Sequence, residues 1–87
     1  MKNYLKNYKV NHLLTIDDEK LVNELYDKFE HNELSVDDIV NYYCASFSDC
    51  DYNEQMYIFS NHITRDGKFA IIFDSFEPYL DIYQIVG

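Results

Sequence analysis

At residue 55 the spacing of apolar side chains changes, and that change constrains the fold more than any other feature of the chain. From Thr15 to Ser48 apolar residues recur every three or four positions; from Met56 to Val86 they alternate. A helical half followed by a β half, in 87 residues, fits a single α+β domain. Two glycines and one proline leave no linker or low-complexity segment, so the chain is expected to be compact nearly end to end. A domain this small buries only about 60–65% of the surface its unfolded chain exposes. Its nine tyrosines and six phenylalanines therefore have to supply much of the core.

The first helix is expected to start at Thr15, with Asp18 completing a capping box and Asp17, Asp18 and Glu19 at the positive end of the helix dipole. Leu21, Val22, Leu25 and Phe29 form its apolar stripe, and Asn32 and Glu33 end it. A second helix starts at Ser35, again with a capping box to Asp38. Its stripe is Val36, Ile39, Val40, Tyr43 and Phe47, with Tyr42 near the edge. The short connection makes the two helices a hairpin or a tight corner.

Residues 49–55 read as a loop. Met56–Ile63 and Lys68–Phe73 read as strands joined by Thr64-Arg65-Asp66-Gly67, in which Asp-Gly is a strong hairpin signal. Tyr57, Phe59 and Ile63 share one face of the first, and Phe69, Ile71 and Phe73 one face of the second. Tyr79–Val86 reads as a third strand. The expected architecture is α+β: a two-helix hairpin packed on a three-stranded antiparallel β-meander. Residues 1–14 fit either a helix or a strand, and their structure stays open.

Charge is distributed as unevenly as hydropathy. Twelve acids and two cations lie between Asp17 and Glu54, a net charge of −10, against −9 for the whole chain. Residues 1–14 carry Lys2, Lys6 and Lys9 and no acid. Such a field repels nucleic acid and anionic lipid, so neither is an expected direct partner. The sequence shows no secretory signal, and no apolar run approaches the ~20 residues of a membrane span. Two cysteines do not make a disulfide framework, so a cytoplasmic protein with reduced thiols is expected.

No cofactor, metal or catalytic constellation is legible. Asp49, Asp51 and Asn53 copy the first ligands of a calcium loop. Glu54 then replaces the required glycine, and Ser60 stands where the bidentate glutamate belongs. Cys44, Cys50 and the three histidines lack zinc-ligand spacing, and Cys44 reads as a small core residue. An acidic loop disfavours the thiolate that a Cys50 nucleophile would need. The chain is read as a non-enzyme.

What remains is the acidic surface. Side chains three or four apart on a helix lie ~5–6 Å apart, comparable to phosphates along a nucleic-acid strand. Glu24, Asp27 and Glu30 make such a row, and Glu33, Asp37 and Asp38 continue it, with Asp49, Asp51 and Glu54 beyond. Tyr42 and Tyr52 are placed as aromatic anchors among these charges. The bland reading is that the acids only keep an aromatic-rich domain soluble.

In size, charge and lack of a catalytic motif the chain is similar to small phage- or plasmid-encoded inhibitors of host defence, such as anti-restriction and anti-CRISPR proteins. That likeness of profile implies a DNA-mimicking inhibitor that occupies the basic channel of a nucleic-acid-binding enzyme, in the host cytoplasm if phage-encoded. Reversing Glu30, Glu33, Asp37 and Asp38 is then expected to abolish binding with the fold intact. Two other readings stand beside it. One is an antitoxin or immunity protein against a cognate toxin. The other is a homodimer or larger oligomer, associating through an open sheet edge or exposed Tyr79 and Tyr83.

Overall fold

The computed structural model describes residues 5–43, 53–74 and 78–86. Strand β1 (Leu5–Ile16) leads into helices α1 (Glu19–Glu30) and α2 (Val36–Tyr43). Strand β2 (Asn53–Phe59), a 3₁₀ turn (Ser60–His62), β3 (Phe69–Phe73) and β4 (Leu80–Ile85) follow. All pairings are antiparallel, in the order β2-β1-β4-β3. The fold is α+β as expected, but with four strands.

The segment left open by the sequence is the strand that organises the sheet. β1 is 12 residues long. It pairs with β2 along Leu5–Asn11 and with β4 along Val10–Ile16, with a bulge between His12 and Leu14. Two partners offset along one long strand make a strongly coiled sheet, and the bulge adds twist.

This insertion replaces the expected meander. β3 and β4 are neighbours as anticipated, but β2 pairs with β1 and ends at Phe59. The 3₁₀ turn then carries the chain from one edge of the sheet to the other, where Ile63 bridges to Ala70 of β3. The Asp-Gly turn does form. Gly67 N–H donates to Thr64 O (2.9 Å) and Thr64 N–H to Phe69 O (2.9 Å), with Gly67 at φ 74°. Its first arm is only Ile63 and Thr64, not a strand running back to Met56.

A coiled sheet has two faces to fill. On the helical side, Ile71, Leu80 and Ile82 pack with Val22, Leu25, Val36, Ile39 and Val40. Of the expected helical stripes, Val22, Leu25, Val36, Ile39 and Val40 are buried and Leu21, Phe29 and Tyr43 partly so, while Phe47 lies outside the described residues. On the concave side a second cluster forms from Val10, Ile58, Ala70 and Tyr83. It shows which face of β2 is buried. Ile58 is the buried residue of β2, while Tyr57 and Phe59 are exposed. Tyr83, expected to be exposed, is buried, and Tyr79 is 36% exposed.

The cap of helix α1 lies three residues later than expected. Asp18 is its cap, with Oδ1 accepting Leu21 N–H (3.2 Å), because Thr15 belongs to β1. Its C-terminus is a Schellman turn: Glu33 N–H donates to Lys28 O (2.8 Å) and Asn32 N–H to Phe29 O (3.2 Å). Asn32 sits at φ 60°. Asparagine tolerates this left-handed position and alanine does not. Asn32→Ala is expected to lower the unfolding free energy by about 1 kcal/mol, and Asn32→Gly to leave it unchanged or raised, in urea titrations.

The 3₁₀ turn places His62 under α1. Its ring meets Phe29 edge-on (centroids 5.3 Å), and Nδ1 lies 3.2 Å from the Ile71 carbonyl. Burial pushes the His62 pKa down, more than the carbonyl contact raises it. The unfolded chain, with an ordinary histidine near 6.5, therefore binds this proton more tightly. The contribution of neutral His62 is complete above pH ~6.5 and is lost as pH falls through and below that value. His31 has the opposite sign. Its bond to the Asp27 carbonyl, then the Asp27 charge, raises its pKa, so its contribution fades as pH rises. Urea titrations between about pH 5 and 8 should show His62→Gln removing part of the acid-side loss and His31→Gln enlarging it.

Candidate functional site

The structure divides the acidic residues into those facing solvent and those already used by the fold. Glu24, Asp27, Glu30 and Glu33 are exposed along α1 and the turn that follows it. Glu24 pairs with Lys28 (3.8 Å) and Asp27 with His31 (3.4 Å), both one helical turn apart. Pairs this exposed are weak and yield readily to another cation.

Asp37 and Asp38 have structural duties. Asp38 Oδ2 accepts Ser35 N–H (3.1 Å) and Ser35 Oγ accepts Asp38 N–H (3.1 Å), the capping box expected at α2. The Ser35 bonds, backbone first, hold the Asp38 carboxyl below its usual pKa. Half-buried Asp37 accepts Arg65 N–H at 3.2 and 3.4 Å, tying α2 to the Asp-Gly turn.

Glu54 does not continue the row. It pairs in register with Val10 on the concave side, and its charge helps raise the pKa of Tyr83, pushed up to about 12 chiefly by burial and then by Asp81. Asp49, Asp51 and Tyr52, like Cys44 and Cys50, lie outside the described residues. Tyr42 is 77% exposed, its ring edge-on to Tyr43 (centroids 4.7 Å).

Two features were missed in the sequence. The first is a cleft of about 370 Å³ between the helices, walled by Leu21, Leu25, Leu34, Ile39, Tyr42 and Tyr43. Glu24, Lys28 and Asp38 line it as well. Its signal was Leu21 and Tyr42, apolar residues at the margin of each helical stripe. The second is a cross-strand cluster on the concave side. Thr15 Oγ1 donates to Asp81 Oδ1, while His12 Nε2 lies 2.7 Å from Thr15 Oγ1 and 3.2 Å from Asp81 Oδ1. His12 also packs edge-on to Tyr83 (5.3 Å). It depends on the β1–β4 register, which no local spacing announces.

Among the described residues, no three His, Cys, Asp or Glu side chains converge as a metal-ligand set, and no helix is long and apolar enough to cross a membrane. Comparison of the chain with protein-family models, curated proteins and solved structures gives no match.

Proposed function

We propose that this chain is a non-enzymatic inhibitor that occupies the basic channel of a nucleic-acid-binding enzyme, of the anti-restriction or anti-CRISPR kind. Glu24, Asp27, Glu30 and Glu33 stand in for phosphates, and Tyr42 anchors the contact. One observation carries the reading: these four acids are exposed together along α1 and its turn, whereas Asp37 and Asp38 are engaged in holding α2. Carboxylates presented from a helix backed by the sheet are pre-organised, which lowers the ordering cost of binding. Their common sign steers a cationic channel at long range.

The apolar cleft beside them favours a second reading, an immunity protein or antitoxin that binds a cognate toxin by shape. A tagged pull-down from bacterial lysate containing defence nucleases, washed across a salt series, separates the two. Capture of a basic nuclease, lost with rising salt and to competing DNA or RNA, is expected for mimicry. Capture that resists both points to the toxin-binding reading and overturns the phosphate analogy.

A further inference from the structure

The chain carries, on different faces, two surfaces that complement each other. One is the interhelical cleft, with walls of Leu21, Leu34 and Ile39 beside the carboxylates of Glu24 and Asp38. Lys28 also lines it, but is paired with Glu24. The other lies on the sheet. Leu5, Asn7 and Lys9 of β1 pair with Phe59, Tyr57 and Gln55 of β2, and alternation puts all six on the face opposite Val10 and Ile58. Among the described residues the helices pack on the β3, β4 and C-terminal β1 part of that face, and on this part Phe59 meets the ring of His62 (centroids 6.1 Å). Leu5, Tyr57 and Phe59 are 52%, 66% and 45% exposed, and Lys9 beside them is exposed too.

From this pairing we infer that the interhelical cleft receives the Leu5–Tyr57–Phe59 patch of a second copy of this chain, with Lys9 meeting the carboxylate of Glu24, since that of Asp38 is engaged by Ser35 N–H. The chemistry matches on both counts: an apolar patch with a cation enters an apolar cleft with anions. The net charge of −9 opposes association at long range, so apolar burial drives the contact and the ion pair sets its register. The contact joins two different patches. It closes as a reciprocal dimer only where both cleft–patch contacts fit one two-fold axis, and otherwise propagates. The cleft and Glu24 also serve the target-binding readings, so a second copy seated there would compete with a target, but the test uses the purified chain alone and fails separately from them.

Sedimentation equilibrium of the full chain over a range of protein concentrations, at physiological ionic strength, tests it. The weight-average mass is expected to rise with concentration above the 10.5 kDa of one chain. Lys9→Glu and Glu24→Lys should each weaken association by about tenfold. The double variant, which restores opposite charges, should recover most of the loss. Circular dichroism should show all three folded, because both positions are exposed. A mass that stays at one chain throughout overturns the inference. So does association that ignores both single variants, or a double variant no tighter than the singles.

Discussion

Ile82→Ala is expected to lower the unfolding free energy by about 3–4 kcal/mol, a large share of what a domain of this size has. Ile82 is fully buried, pairs with Leu14 on one side and Ile71 on the other, and packs in the cluster beneath both helices. Removing three carbons there takes away apolar transfer energy and leaves a cavity that paired backbone on both flanks cannot collapse to fill. Ile58→Ala is the informative companion. If the concave cluster of Val10, Ile58, Ala70 and Tyr83 is a packed core in its own right, this change costs about 2–4 kcal/mol as well. A cost under about 1 kcal/mol in urea titrations would mean that the concave side contributes little beyond covering the strands. Tyr57→Ser, at an exposed position on the same strand, provides the baseline of about 0.5 kcal/mol or less.

That contrast within β2 also shows where the sequence stops being legible. The helices could be read because their signals are local. Ser35 and Asp38 lie one turn apart, and the stripes of Val22, Leu25, Val36, Ile39 and Val40 face a single layer. β2, β3 and β4 were found for the same reason, but of the pairings only that of β3 with β4 was. β1 draws its partners from residues 53–59 and 80–85, and nothing within Leu5–Ile16 names either. Its lysines and bulge also blur the alternation that would have marked a strand.

Which face of β2 is buried was not legible, because a sheet filled on both sides carries apolar residues at both parities, Ile58 on one and Tyr57 and Phe59 on the other. The same limit governs the site. Exposure of Glu24, Asp27 and Glu30 follows from helical period alone. The engagement of Asp37 with Arg65 spans 28 residues and needed the fold. Glu54 was misplaced because its face depends on its register with Val10.

Reversing charge at Glu24, Asp27, Glu30 and Glu33 together is expected to weaken capture of a basic target by a hundredfold or more, with the fold retained. Each reversal replaces an attraction with a repulsion worth on the order of 1 kcal/mol at a partly desolvated contact, so four approach three powers of ten. The choice of positions matters. Reversal at Asp37 or Asp38 would remove the carboxylate that accepts Arg65 N–H or the one that accepts Ser35 N–H in the capping box of α2, and lost binding would then report damaged structure. The four exposed acids avoid that confusion. Their removal costs the helix only the weak pairs to Lys28 and His31. The amide set Glu24→Gln, Asp27→Asn, Glu30→Gln and Glu33→Gln should fall between wild type and the lysine set, since it cancels attraction without adding repulsion. Affinity titrations on the captured target, with circular dichroism alongside, distinguish the outcomes. Full affinity in the lysine set would end the phosphate analogy. If Leu21→Glu in the cleft then removed the same capture, the contact would be one of shape, as the toxin-binding reading requires.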